Sequence, residues 1–331
     1  YYVKPKTNLD MQWLYYSIIH HKLGEIDDGS PIPSTTRAAV YVTDVDIPPL
    51  PEQKAIAHVL GSLDDKIELN RRMNETLEEI ARALFKSWFV DFDPVNAKTN
   101  GQAPAGMDPE TAALFPDTFD ESKLGLVPKG WEVKTLPEVF EINPKRKLTK
   151  GTTSSYLDMK NVPTAGHCVL NFQPREFKSG TKFINGDTLL ARITPCLENG
   201  KTCYVDFLQQ SEIGWGSTEF IIFRPLPPIS TEFGYYLARS CELRAHAIMN
   251  MTGTSGRQRV PATCFDQYLL AVPNEKIFNA FSERAAIGIK KIKSNCDQSR
   301  TLASIRDALL PKLLSGEIDV SEMEKRVEAV V

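Results

Sequence analysis

Thr76-Leu77-Glu78-Glu79-Ile80-Ala81-Arg82-Ala83-Leu84 returns 225 residues later as Thr301-Leu302-Ala303-Ser304-Ile305-Arg306-Asp307-Ala308-Leu309. At the same offset Ile67 falls on Ile292, Asn70 on Asn295, and Ile47-Pro48 on Val272-Pro273. Repetition of this period means that one structural unit, a domain followed by a helix, occurs twice. Upstream the match continues at an offset of 220, with Tyr2-Val3-Lys4-Pro5 on Ile222-Phe223-Arg224-Pro225 and Trp13-Leu14-Tyr15-Tyr16 on Phe233-Gly234-Tyr235-Tyr236. The change of offset falls between these blocks and the helices, where loop length is tolerated. The sequence is therefore expected to open inside a domain, either because the first copy is short in nature or because it is a fragment.

Both copies carry a helical seam. Pro51 suits a first helical turn because its missing amide hydrogen would be unpaired there anyway. Beyond it Ile56, Leu60, Leu63, Ile67, Asn70, Asn74, Leu77, Ala81, Leu84 and Trp88 alternate steps of four and three. That is a coiled-coil pattern and predicts a helix of roughly 39 residues, about 58 Å long. In the second copy Phe281, Ala285, Gly288, Ile292, Asn295, Ser299, Leu302, Leu309 and Leu313 take the matching places. Arg306 interrupts this seam, and Pro311 is expected to kink or end the helix. The two helices are expected to pack antiparallel, with Asn70 and Asn295 meeting near their centres to fix the register.

Residues 1–50 carry helical spacing over Asp10–Leu23 and alternate like a strand over Tyr41–Ile47. Asp93–Lys123, rich in Pro, Gly, Ala and Asp, predicts an extended surface connector. Residues 126–272 alternate in short runs with turn chemistry at Gly186-Asp187 and Asn199-Gly200, and a helix is expected over Glu232–Met249. The fold class is α+β: a strand-rich globular domain plus two long antiparallel coiled-coil helices.

A chain of 331 residues fits about two domains. No apolar run approaches the ~20 residues that span a bilayer, and no signal-peptide pattern opens the chain. Cys168, Cys196, Cys203, Cys241, Cys264 and Cys296 form no CxxC pair and are expected to be reduced thiols in a cytoplasmic protein. The net charge of −3 is unevenly spread. Residues 126–272 hold 17 Lys and Arg against 13 Asp and Glu, whereas residues 91–125 hold 2 against 7. A mildly basic lobe with an acidic leader suits a protein that reads one face of a duplex.

Catalytic signatures are missing. The sequence holds no GxxxxGK[ST] loop and no GxGxxG after a strand. Asn143-Pro144 runs into Lys145, so the aromatic-ended Asn-Pro-Pro motif of amino-methylating enzymes is not formed. Pro116-Asp117 with Glu121-Ser122-Lys123 lacks the two strands a nuclease metal site requires. The five histidines have no metal-ligand spacing, so no metal site is expected.

Cationic loops are the candidate DNA contacts. Lys145, Arg146 and Lys147, with Lys150, form a cluster of the kind phosphate contacts need. The alternative is a solvated loop. Arg192 and Thr194 follow the strand end Leu189-Leu190, and Lys201 closes the next turn. In the loop Thr252–Pro261, glycines permit close backbone approach around Ser255, Arg257, Gln258 and Arg259. Arg and Gln side chains bond bidentately to guanine and adenine edges respectively. Trp215, between two glycines, is read as packing.

Several stretches together resemble the specificity subunit of Type I restriction–modification enzymes over essentially the whole length. They are Pro48-Pro49-Leu50-Pro51-Glu52-Gln53-Lys54-Ala55-Ile56-Ala57, Leu63-Asp64-Asp65-Lys66-Ile67-Glu68, Leu84-Phe85-Lys86-Ser87-Trp88-Phe89, Val127-Pro128-Lys129-Gly130-Trp131-Glu132 and Gly186-Asp187-Thr188-Leu189-Leu190-Ala191-Arg192-Ile193. The resemblance implies a remnant of a first target recognition domain at 1–50, a first spacer helix at 51–90 and a linker at 91–125. A second target recognition domain at 126–272, a second spacer helix at 273–315 and a tail at 316–331 complete the division. It further implies a non-catalytic reader of double-stranded DNA that recognises half of a bipartite target. Methyltransferase subunits would dock on the paired helices, and restriction–translocation subunits would join them. S-adenosylmethionine, ATP and Mg²⁺ would belong to those partners, with no cofactor on this chain. The departure from the pattern is the missing front of the first recognition domain, for which a second copy of the chain would substitute. The competing readings are an interaction scaffold whose recognition has decayed, and a fragment of a fused methyltransferase–nuclease.

Overall fold

Asp10 decides where the first helix begins. Its carboxylate accepts the backbone amides of Gln12 and Trp13 at 3.0 and 2.9 Å, capping helix α1, Met11–His20. The duplicated position, Ser230, accepts the amide of Phe233 at 3.2 Å and caps helix α6, Thr231–Arg239. The repeat therefore extends to the cap, with Asp in one copy and Ser in the other. The computed structural model describes residues 5–23, 44–254, 256–320 and 323. Tyr2–Lys4, Tyr41–Thr43, Ser255 and most of the tail lie outside the described residues, and Asp44–Ile47 are irregular rather than a strand.

The long helices are α2, Leu50–Phe89, and α8, Glu275–Leu314, each of 40 residues. Between them come α3 (Asp93–Thr99), α4 (Pro109–Ala113), α5 (Leu136–Val139), α6, and α7 (Cys241–Met249). Pro311 does not kink α8 out of its course. It lies in the last turn, and the helix ends three residues later. The expected single helix over Glu232–Met249 is two, because Ser240 ends α6 and accepts the amide of Leu243 at 3.2 Å to cap α7.

The chain forms two compact units, one of residues 1–72 with 297–331 and one of residues 73–296. Each takes one half of each long helix. In the first, Trp13 and Tyr16 of α1 pack with Ile56, Leu60 and Leu63 of α2 and Leu302, Leu310 and Leu313 of α8, all buried. The helix halves run antiparallel, since Asp64 meets Arg306 while Asn70 meets Ser299. In the second unit the pairing is again antiparallel, from Asn74 with Asn295 to Trp88 with Phe281.

The seam is not read without change. Ile56, Leu60, Leu63, Asn70, Phe281, Ile292, Asn295 and Leu302 are buried, but Ile67, Leu77, Leu84 and Leu309 are half-buried. Past Asn70 the buried face of α2 passes to Glu78, Ala81, Phe85 and Trp88. A straight helix drifts ~20° per heptad relative to a 3.5-residue repeat, which moves the contact one position along. The central asparagines reach across the pair within each unit. Asn70 Nδ2 donates to Gln298 Oε1 at 2.9 Å and Ser299 Oγ at 3.2 Å, and Asn295 Nδ2 donates to Asn74 Oδ1 at 2.8 Å.

Within residues 73–296 the strands are β1 (Phe119–Ser122), β2 (Gly125–Pro128), β3 (Glu132–Thr135), β4 (Phe140–Ile142), β5 (Thr153–Leu157) and β6 (Gln173–Glu176). They continue with β7 (Thr181–Phe183), β8 (Thr188–Ala191), β9 (Thr202–Tyr204), β10 (Gly214–Gly216), β11 (Phe220–Pro225) and β12 (Leu269–Val272). One four-stranded sheet has the order β4-β11-β8-β9, and another has the order β6-β5-β10-β7. Successive strand residues face opposite ways. Leu189, Phe220 and Ile222 accordingly join a core with Leu157, Phe183 and Phe207, whereas Leu190, Ile221 and Phe223 join the core containing Phe233, Phe85 and Phe281. The central sheet is buried on both faces.

Two expectations are corrected here. Asp93–Lys123 is not an extended surface connector, because Val95 and Phe115 are fully buried and Phe115 sits edge-on to Trp88 at 5.0 Å. Arg284 of α8 also holds Asp108 at 2.7 Å, so part of the acidic run serves as an anchor. The six cysteines are not all thiols, since Cys168 and Cys296, 128 residues apart, form a disulfide with a Cα–Cα distance of 6.0 Å. Sequence spacing could not reveal that pairing, because the fold brings the two together. Cys196, Cys203, Cys241 and Cys264 are free. Among the described residues no helix is long and apolar enough to cross a membrane.

Candidate nucleic-acid interface

Asn143 ends β4 with a left-handed φ of 54° and fixes the following chain, its Oδ1 accepting the amide of Ile222 at 2.9 Å. That turn directs Pro144, Lys145 and Arg146 along a cleft of about 490 Å³. The cleft is also lined by Gly180, Thr181, Lys182, Arg192 and Thr218, over a floor of Phe220 and Ile222. The sequence-predicted cations Lys145, Arg146 and Arg192 are thus brought together. Among the described residues, no carboxylate lines the cleft.

Arg146 is largely committed inside the protein. Its Nη2 lies 2.8 Å from the buried Asp187 Oδ1, which Arg224 also approaches at 3.3 Å. Burial lifts the Asp187 carboxyl above the usual range in spite of these guanidiniums. Arg192 is less satisfied, because its Nε is buried without a hydrogen-bond partner. Lys182 donates to the Arg146 carbonyl at 3.1 Å, a neutral acceptor that leaves its charge uncompensated. Sequence reasoning missed Lys182. Its alternation along β7 carried the signal, but pairing with β10 had to be known to orient it.

The loop Thr252–Pro261 joins the same strand end. Ile193 bridges Arg259, the Thr194 amide donates to the Gln258 carbonyl at 3.0 Å, and the Val260 amide donates to the Arg192 carbonyl at 2.9 Å. Arg192, Thr194, Gln258 and Arg259 therefore form one cluster. Glu219, whose carbonyl accepts the Arg192 amide, holds Arg259 by accepting from its Nη2 and Nε at 2.8 and 2.9 Å. Arg257 is exposed at the loop tip, and the Thr194 hydroxyl is buried without a partner. Ser255 lies outside the described residues. Two candidates serve other ends: Lys201 Nζ donates to the Met159 carbonyl at 2.7 Å, pinning a neighbouring turn, and Lys147 is exposed outside the cleft lining. Trp215 is buried, its indole N–H donating to the Arg175 carbonyl at 3.3 Å.

A second polar cluster fixes the lobe to the spacer helix. Glu78 of α2 accepts the Tyr235 hydroxyl at 2.7 Å, and Arg239 Nε donates to the same hydroxyl at 3.1 Å. The buried His167 ring lies 3.7 Å from Glu78 and 3.3 Å from Asp206. Burial alone would depress the imidazole pKa, but Asp206 and Glu78 outweigh it and raise it to about 9. The distances are long for hydrogen bonds, so these contacts act mainly as ion pairs. No group of three or more potential metal ligands occurs among the described residues.

Residues 1–79 match the Type I restriction modification DNA specificity domain. The HindI specificity subunit of Haemophilus influenzae is 26% identical across 96% of this chain and 79% of its own length. The MjaIX specificity subunit of Methanocaldococcus jannaschii is likewise 26% identical, across 96% of this chain and 72% of its own. Among solved structures, the Type I system S subunit from M. genitalium superimposes with a TM-score of 0.50 at 16% identity, covering 92% of this chain and 72% of that one. The α+β architecture with long paired helices is thus the fold of that subunit. The chain is similar to members of the specificity-subunit family of Type I restriction–modification enzymes. Members of that family are non-catalytic subunits that recognise DNA sequence.

Proposed function

We propose that the lobe within residues 73–296 reads one half of a divided duplex target, and that the paired helices form the scaffold on which methyltransferase and restriction–translocation subunits assemble. The carrying observation is the continuity between the carboxylate-free cleft and the Arg192–Arg259 cluster, which gathers cations and hydrogen-bonding side chains on connected strand ends. Phosphate contacts set orientation on a duplex and base-edge contacts specify sequence, and the two surfaces supply both kinds of group. S-adenosylmethionine, ATP and Mg²⁺ are assigned to the partner subunits, and the complex to the cytoplasm. The test is a gel shift of the full chain with its methyltransferase subunit on random-sequence duplexes. Retarded duplexes sharing a consensus support the reading. Assembly with no duplex bound would leave only a scaffold.

A further inference from the structure

We propose that the cleft lined by Lys145, Lys182 and Arg192 holds a single backbone phosphate of duplex DNA as an anchor, leaving base edges to the loop around Arg257 and Gln258. The inference rests on the DNA-reading function above and assigns the chemistry of one part of it. Charge balance is the first argument. Arg146 and Arg224 share the buried Asp187 carboxylate, Glu219 is engaged by Arg259, and Lys145, Lys182 and Arg192 line the cleft with no acid among its described lining residues. Such a concave cationic surface over an apolar floor concentrates anions.

Donor type is the second argument. Backbone phosphates are bound by Lys and Arg with hydroxyls and close main chain, and this cleft offers Thr181, Thr218 and the main chain at Gly180 beside its cations. Arg192 lines the cleft, and its buried Nε has no partner inside the protein, so this guanidinium is not fully committed to the fold as that of Arg146 is. Base readout instead favours bidentate forks such as Arg and Gln. Arg257, exposed at the loop tip, and the neighbouring Gln258 offer that geometry.

The test measures binding of the full chain with its methyltransferase subunit to a random-sequence duplex of about 30 base pairs across a salt series, for wild type, Lys145→Ala and Arg192→Gln. Loss of one phosphate contact lowers the slope of log affinity against log salt by about 1, and weakens binding about tenfold near 0.1 M salt. The consensus of duplexes recovered by each protein stays the same. Lys145 is exposed, so Lys145→Ala leaves the fold intact, as thermal unfolding will register. An unchanged slope in both variants overturns the inference while sparing the DNA-reading function. A changed consensus overturns it in favour of base contact. Wild type that binds no duplex takes down both readings.

Discussion

Arg306 Nη1 lies 2.6 Å from Asp64 Oδ1 across the antiparallel helix pair. In the sequence Arg306 interrupts an apolar seam, yet in the fold it meets a carboxylate flanking the seam of the other helix. Asp64 Oδ2 accepts the Tyr16 hydroxyl at 2.6 Å, so one acid serves α1, α2 and α8. Burial, reinforced by Asp64, raises the Tyr16 phenol well above its ordinary range, so it stays a donor at any physiological pH.

Asp64→Ala strands the buried Tyr16 hydroxyl and is expected to cost ~1–3 kcal/mol in urea unfolding. Tyr16→Phe alone should cost ~1 kcal/mol, and the double variant should fall short of the sum. Strict additivity would show that the two groups do not interact.

The His167 cluster makes stability depend on pH in a defined direction. Its imidazole is raised from 6.5 to about 9 in the fold, so the stabilisation is complete below pH 6.5 and is lost as pH climbs through about 9. Unfolding curves across this window should show that decline, and His167→Gln should flatten it. Glu78→Ala removes one of the two anions around the buried imidazolium and is expected to cost ~3–5 kcal/mol near neutrality.

Two glycines of the second copy should respond oppositely to alanine. At Gly288, inside α8, an added Cβ meets nothing within 4 Å, so Gly288→Ala should gain ~1 kcal/mol from helix propensity. At Gly234 the Cβ would lie 2.5 Å from Pro225 and 3.0 Å from Phe140 in the core, so Gly234→Ala should lose ~1–3 kcal/mol. Thermal unfolding of the pair decides the signs.

Replacing Arg257 by Ala is expected to weaken duplex binding by ~1–3 kcal/mol and relax the recovered consensus, with methyltransferase docking unaffected. Arg259→Ala should behave differently, since Glu219 already holds that guanidinium and is released by the change. Pull-down with the methyltransferase subunit, run beside the gel shift, separates a DNA contact from a structural one.

Thiol titration in denaturant without reductant should count four cysteines, the other two being joined as Cys168–Cys296. Six titrating thiols would exclude the bond. Cross-linking positions this far apart contributes up to ~5 kcal/mol through the unfolded chain, so reductant should lower the unfolding midpoint.

The duplication and the long helices were legible because both are written in local periodicity. Ile56, Leu60 and Leu63 could be placed from spacing alone. The exchange of Leu77 and Leu84 for Glu78 and Phe85 on the buried face could not, because helical drift and the aromatic cluster around Phe233 decide it. In the lobe, Arg192 and the Thr252–Pro261 loop were visible as separate cationic stretches. Their union depends on the bridge between Ile193 and Arg259, a pairing across 66 residues that no local pattern encodes. Arg146 and Lys201 resembled free cations only because their acceptors, Asp187 and the Met159 carbonyl, are distant in sequence.

The hydrogen-bonded amides at the middle of the helix pair act as a key cut for one alignment. Sliding either helix by seven residues would set Asn70 against Ile292 or against Arg306, and Asn74 against Gly288 or Leu302, in place of Ser299 and Asn295. Every such slip abandons the hydrogen bonds of the buried Asn70 and Asn295 amides, at ~1–3 kcal/mol for each group left unmatched. Leucines alone would have tolerated those shifted alignments, so the register of the helix pairing within each unit is stored in a few polar atoms.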